Sequence, residues 1–138
     1  MLKLQIKYLS FFFGIVSILS FFNILYSYYF NLYLNLDTYY FTLLASFTLF
    51  ITFFKFGKYD IKSNIFQKIL TIFLGYLLIP LILSIPFYFS IYNLTFSNSF
   101  FEAISGFTST GFTVFDNIKL IDQSLVIWRS STQWIGGL

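Results

Sequence analysis

The sequence predicts an all-α integral membrane protein. Of its 138 residues, 58% are hydrophobic and 9% charged, and the mean hydropathy is +0.81, whereas about a quarter of the residues in a soluble domain are charged. Long apolar runs are separated by short polar segments, one of them rich in lysine. We expect a two-helix amino-terminal hairpin, then a repeat made of a helix, a re-entrant pore loop and a truncated helix.

The hairpin and the linker that follows it occupy residues 1–64. The first apolar run, Tyr8–Phe30, is long enough to cross about 30 Å of hydrocarbon. It exceeds the apolar core of a signal peptide, and no small-residue cleavage site follows it. We therefore predict a retained span, followed by a second span over Tyr39–Phe56.

Lysine placement predicts the orientation of these spans. Two lysines precede the first run and four lie in or beside the linker: Lys3 and Lys7, then Lys55, Lys58, Lys62 and Lys68. By the positive-inside rule both regions are cytoplasmic. A nucleic-acid-binding patch is the alternative, but basic clusters between spans usually mark topology, so we expect no nucleic acid partner.

Residues 65–138 are predicted to form one pore repeat. A helix over 65–92 contains Pro80 and Pro86, which predict kinks. The following segment, up to Asp122, is too short and too broken by glycine to cross the membrane, so it should dip in and return. The final helix over 123–138 would span only about 22 Å, and we expect it to be truncated inside the membrane.

A short pore helix is predicted over 99–107. Ser99 and Glu102 have the spacing of a capping box, and the helix would be about 12 Å long. Its carbonyl end, the negative pole of the helix dipole, would then point towards a cation at mid-membrane. Glu102 is interpreted as a structural cap, with ion binding as the alternative.

The predicted filter, residues 108–113, follows that helix. It consists of Thr108, Ser109, Thr110, Gly111, Phe112 and Thr113. Non-helical backbone at membrane depth survives only where it lines a polar cavity, and its carbonyls can replace the water shell of a cation. Gly111 supplies backbone angles that other residues reach only with strain, although an ordinary turn glycine would look the same.

Other polar residues have open roles. Arg129, near the start of the last helix, can snorkel, pair with an acid or line the pore, and we favour pairing. Asp116 and Asp122 either concentrate cations at the outer mouth or have no role. Gly136 and Gly137 would allow close helix approach.

Enzymatic chemistry has almost no support. Cysteine and histidine are absent, which removes thiolate nucleophiles, imidazole bases and the usual zinc and haem ligands. The chain also lacks a phosphate-binding loop. We predict that the protein is not an enzyme and has no cofactor.

Three segments resemble one known family. FFEAISGFTSTGFT (100–113), WRSSTQWIGGL (128–138) and SIPFYFS (84–90) are similar to the first pore repeat of the Trk/Ktr/HKT potassium transporters. The two preceding spans match the extra amino-terminal hairpin of the Trk-type branch. The resemblance extends over the whole chain and is strongest from Ser84 onward.

This resemblance implies a multi-pass subunit of the cytoplasmic (inner) membrane, surrounded by lipid. Four such repeats, three of them outside this sequence, would enclose one pathway, in a homodimer with a cytoplasmic nucleotide-binding regulatory subunit. Gly111 takes the place of the family's filter glycine, and the carbonyls of Ser109 and Thr110 take the positions that contact potassium. Ser109 replaces the commoner threonine and Phe112 replaces a smaller residue.

The expected function is potassium uptake through a channel-like filter, with potassium as the transported ligand. A non-conducting membrane scaffold is the first alternative, and a homotetrameric cation channel is the second. The short final span argues against the tetramer, because such a channel needs an intact helix there.

Overall fold

The structure is a computed structural model that describes residues 6–57 and 64–137. Lys3, Lys58, Lys62 and Leu138, which enter the predictions of topology and of the last helix, lie outside the described residues. The described part contains six α-helices and one short 3-10 helix: α1 Ile6–Tyr29, α2 Leu36–Phe56, α3 Ile65–Leu83, α4 Ile85–Tyr88, α5 Phe96–Phe107, the 3-10 helix Ile118–Leu120 and α6 Gln123–Gly136.

Three helical stretches are long and apolar enough to cross a membrane: Lys7–Tyr29, Leu36–Phe56 and Ile65–Tyr88. Many of their large side chains point outward, and Phe11, Phe41 and Phe73 are each more than 60% exposed. Helices satisfy their backbone polar groups internally, as lipid requires. The predicted all-α membrane class is confirmed at this level.

The α1–α2 hairpin buries mainly small and polar side chains along α2, and of its phenylalanines only Phe13 is buried in the described part of the chain. The buried face of α2 contains Thr38, Tyr39, Thr42 and Ser46, spaced to lie on one side of the helix. The hydroxyls of Thr42 and Ser46 donate to carbonyls one turn earlier in α2, each at 2.7 Å. Small side chains with satisfied hydroxyls let α2 pack closely on α1.

The predicted helix over 65–92 is shorter and broken in the structure. It passes through Pro80 but is interrupted at Ser84, and helical structure ends at Tyr88. Pro86 lacks a backbone N–H, so the usual helical bond cannot form at this point. Next to the break, the carbonyl of Leu83 accepts a hydrogen bond of 3.1 Å from Nε1 of Trp128, which joins α6 to the break.

The α5 and α6 helices pack against each other through glycine. A Cβ added at Gly106 would overlap the side chain of Thr132, and one added at Gly136 would overlap the carbonyl oxygen of Phe107. The expected close approach is therefore confirmed for Gly136. At Gly137 the nearest atom to an added Cβ is 3.6 Å away, so that glycine is not needed for the packing.

Candidate functional site

The short helix α5 begins earlier than predicted. Its N-cap is Thr95, whose hydroxyl accepts from the backbone N–H of Asn98, so the helix starts at Phe96 and not at Ser99. Ser99 lies inside the helix and donates to the carbonyl of Thr95 at 3.0 Å. The predicted capping box of Ser99 and Glu102 is wrong, because a threonine four residues before Ser99 already caps the helix.

The end of α5 tightens into a turn that leads into the predicted filter. The backbone N–H groups of Thr108 and Ser109 donate to Ile104 and Gly106, each at 2.8 Å. The N–H groups of Thr110 and Gly111 both donate to the carbonyl of Ser105, at 3.0 and 3.3 Å. Every N–H from Thr108 to Gly111 therefore points back towards α5.

The carbonyls of this turn are arranged differently from its N–H groups. Within the described residues, those of Thr108, Ser109 and Thr110 accept no hydrogen bond. The same three residues are exposed. Backbone carbonyls usually have a hydrogen-bond partner, so these oxygens are available to water, another chain segment or a cation.

Two residues of the turn have left-handed backbone angles. Gly111 has a φ of +83° and Ser109 a φ of +55°. A Cβ at Gly111 would meet nothing closer than 4.0 Å, so backbone conformation and not space explains the glycine. The Ser109 hydroxyl donates to the carbonyl of Gln133 at 3.3 Å, which fixes the turn against α6.

Glu102 supports the chain after the turn. Its side chain is fully buried, and its Oε1 accepts from the hydroxyl of Thr113 at 2.5 Å and from the backbone N–H of Val114 at 2.6 Å. It projects from the middle of α5 because Ser99, Glu102, Ala103 and Gly106 share the buried face of that helix. The predicted structural role of Glu102 is present, but the carboxylate holds the returning loop and not the helix start.

Arg129 pairs with Glu102, as the sequence analysis favoured. Its Nε donates to Oε2 of Glu102 at 3.1 Å. Its Nη2 donates to the carbonyls of Gly111 and Phe112, at 2.8 and 3.3 Å. We call Glu102 and Arg129 the loop brace. Arg129 donates to the carbonyls of Gly111 and Phe112, and Glu102 accepts from the Thr113 hydroxyl and the Val114 N–H, so the pair holds the whole segment from Gly111 to Val114.

A second polar cluster joins the hairpin to the start of α6. We call Asn35, Tyr39, Tyr92, Asp122 and Ser124 the hairpin junction. Oδ2 of Asp122 accepts from Nδ2 of Asn35 at 3.0 Å and from the hydroxyl of Ser124. The hydroxyls of Tyr39 and Ser124 are 2.9 Å apart, and the Asp122 N–H donates to the Tyr92 hydroxyl at 2.6 Å.

The structure thus places the six predicted filter residues on one turn but gives them different surroundings. Thr108 to Phe112 are exposed, Phe112 by 68%, while Thr113 is partly buried against Glu102. Asp122, predicted as a cation collector or a residue without a role, instead binds the hairpin. Asp116 is exposed.

Sequence reasoning missed Ser105. Its carbonyl receives two N–H groups of the turn, and its hydroxyl donates to the carbonyl of Phe112 at 2.7 Å. Ser105 therefore contacts the loop at both of its ends. A hydroxyl near the end of a short helix was the one available signal, and it is common in helices that have no such role.

Parts of the chain are similar in sequence to known membrane transport proteins. The chain is 37% identical over 65 residues to an uncharacterized cation transporter of Methanocaldococcus jannaschii, covering 47% of this chain and 14% of that protein. It is 44% identical over 46 residues to the Trk system potassium uptake protein TrkG of Escherichia coli, covering 33% and 10%. It is 32% identical over 82 residues to TrkH of the same organism, covering 59% and 17%.

The chain is a sequence relative of the Trk-type potassium uptake proteins. Its resemblance to that branch is confirmed by these matches. The chain matches less than a fifth of the length of each of these relatives. Neither a protein-family model nor a solved structure matches it.

The names of these relatives also bear on the broad functional class. The relatives are named as transporters and potassium uptake proteins, which agrees with the membrane-length helices and with the predicted class of a non-enzymatic transport protein.

Proposed function

We propose that this Trk-type chain contributes one loop of a potassium-selective filter and takes part in potassium uptake across the cytoplasmic membrane. The observation that carries the proposal is a row of three exposed residues, Thr108 to Thr110, whose carbonyls accept no hydrogen bond from the described residues. Rings of such carbonyls replace the hydration shell of potassium in selective pores.

The surroundings of these carbonyls support the proposal. Helix α5 has only 12 residues, so it is about 18 Å long and cannot cross the hydrocarbon by itself. Its carboxyl end leads directly into the turn, which places the negative pole of the helix dipole beside the free carbonyls. We infer a re-entrant loop, entered through α5 and left through the brace towards α6.

The proposal assigns a role to each predicted site residue. The carbonyls of Ser109 and Thr110 contact potassium, and Thr108 extends the same row. Gly111 permits the turn, while Phe112 and Thr113 carry the chain out of it. Potassium is the transported ion, and no cofactor takes part.

The complete transporter proposed here has three further loops around the same pathway. It is a homodimer in the lipid of the cytoplasmic membrane and works with a nucleotide-binding regulatory subunit on the lysine-rich side. These elements derive from the resemblance to Trk-type proteins, because one loop cannot surround an ion.

The test uses the complete reading frame that contains residues 1–138, expressed in bacteria that lack their own potassium uptake. We expect growth at low external potassium and uptake of the potassium analogue rubidium. Gly111→Ala should abolish most of that uptake, because alanine at a φ of +83° is strained by about 1 kcal/mol or more and shifts the adjacent carbonyls.

Gly137→Ala is the matched control. That glycine has a φ of −84° and space for a methyl group, so uptake should be unchanged. Failure of the wild-type protein to support growth would contradict potassium uptake. If the wild type takes up rubidium and Gly111→Ala does so equally well, Gly111 and its turn do not line the ion pathway. That result would favour the scaffold interpretation of this loop.

A further inference from the structure

We propose that the loop brace is a charge-neutral positioning device that decides which carbonyls of the turn face the ion. This inference rests on the proposed function, because it concerns the same pathway. Glu102 and Arg129 are positioning residues here: they act on the filter through the backbone of the loop.

The carbonyls of the loop fall into two groups. Nη2 of Arg129 binds the carbonyl oxygens of Gly111 and Phe112, at 2.8 and 3.3 Å. The Ser105 hydroxyl also donates to the Phe112 carbonyl at 2.7 Å. Both oxygens are therefore occupied, whereas the three before them, from Thr108 to Thr110, are free within the described residues. Arg129 thus sets the boundary between ligand carbonyls and structural carbonyls at Gly111.

The positive charge of Arg129 lies beside the proposed ion ligands and needs compensation. A guanidinium 2.8 Å from the Gly111 carbonyl is close to the neighbouring Thr110 carbonyl, and an unpaired positive charge there would repel a potassium ion. Glu102 lies 3.1 Å from Nε of Arg129, and its side chain is fully buried. The side chain of Arg129 is only 13% exposed, and a charge that is largely buried is screened weakly, so the carboxylate supplies most of the local compensation of the guanidinium.

The hydrogen bonds of Glu102 and its negative charge can be changed separately. Its Oε1 accepts from the Thr113 hydroxyl and the Val114 N–H, and the side-chain oxygen of glutamine could accept the same bonds. Glu102→Gln therefore keeps an acceptor for the loop but leaves Arg129 uncompensated. Adding Arg129→Gln removes the positive charge again.

The experiment measures rubidium uptake per molecule of membrane-inserted protein. It compares the wild type, Glu102→Gln, Arg129→Gln and the double variant in the complete reading frame. We expect Glu102→Gln to lower uptake about tenfold or more, since an unpaired charge a few ångströms from an ion in a protein interior has at least that effect. The double variant should recover most of the loss. A purely structural brace predicts the opposite, a double variant at least as impaired as either single one.

The double variant provides a second, independent readout. Without Arg129 the carbonyls of Gly111 and Phe112 lose a donor, so we expect a lower ratio of potassium to sodium uptake at a recovered rate. This readout is available even if Glu102→Gln fails to accumulate in the membrane. Asp37→Asn combined with Lys119→Gln is the control, because it removes one exposed charge of each sign away from the brace.

The outcomes separate the two proposals. No uptake by the wild type overturns the proposed function, and this inference with it. Wild-type uptake together with a double variant that transports no better than Glu102→Gln, or that keeps the wild-type ion preference, overturns the brace alone. Recovery of uptake with weakened preference supports it.

Discussion

The loop brace and the hairpin junction are both built around a carboxylate near α6, but they differ in what surrounds it. Glu102 is fully buried and pairs with the cation Arg129 at 3.1 Å. Asp122 is only partly buried, and its side-chain partners in the described part of the chain, Asn35 and Ser124, are neutral. One cluster fixes a loop, whereas the other joins helices.

The difference follows from solvation. A buried carboxylate without a cation is strongly destabilised, so it must be paired or lose its charge. A carboxylate with access to solvent needs only hydrogen bonds. The loop that carries free carbonyls is therefore held by an ion pair together with charge-assisted hydrogen bonds. The hairpin junction has charge-assisted hydrogen bonds to the Asp122 carboxylate but no cation among its partners in the described part of the chain.

Among the variants that test this comparison, Arg129→Leu should cause the largest loss of stability. It leaves Glu102 buried without a cation and removes the two hydrogen bonds that Nη2 of Arg129 donates to the loop, so we expect destabilisation by about 3–5 kcal/mol. The measurement is the free energy of unfolding in detergent micelles. Ser130→Ala, at the exposed neighbouring position, is the control and should have little effect; a loss below about 1 kcal/mol for Arg129→Leu would mean that the brace is not a buried ion pair.

Asp122→Ala should have an intermediate effect. It removes the acceptor for Asn35 and Ser124 but leaves no buried charge, so we expect a loss of about 1–3 kcal/mol in the same unfolding measurement. Asp116→Ala is the matched control, because Asp116 is exposed. If Asp122→Ala were as damaging as Arg129→Leu, the proposed distinction between the two clusters would fail.

Features that depend on run length or on charge alone could be predicted from the sequence. The three long helices follow from apolar run length, because lipid leaves the backbone no other partners than its own. The pairing of Arg129 with an acid was predictable in kind, since an intramembrane arginine needs compensation. Its partner was not predictable, because Glu102 lies 27 residues earlier in the chain and the match depends on how α5 packs on α6.

Predictions from local sequence patterns were wrong where contacts between distant residues determine the structure. Ser99 and Glu102 have capping-box spacing, yet Thr95 caps α5, while Glu102 bonds to Thr113, 11 residues later. Pro86 predicted a kink in the third span. The structure instead has a break at Ser84, next to the Leu83 carbonyl that accepts from Trp128, a contact across 45 residues. The positions of the filter residues as ion ligands remain predictions, since they require the ion and the other loops.

The smallest predicted effect is that of Tyr39→Phe in the hairpin junction. The Tyr39 hydroxyl lies 2.9 Å from Oγ of Ser124, but Ser124 keeps its bond to Asp122, so no buried polar group is left without a partner. We expect a loss of about 0.5–1.5 kcal/mol in the free energy of unfolding, and no change in the rate of rubidium uptake. Tyr40→Phe provides the matched control, because it removes a hydroxyl bonded at the same distance of 2.9 Å to the exposed Tyr28 and should have a smaller effect. If Tyr39→Phe changed rubidium uptake but not stability, the hairpin junction would influence ion transport and would not only hold the hairpin in place.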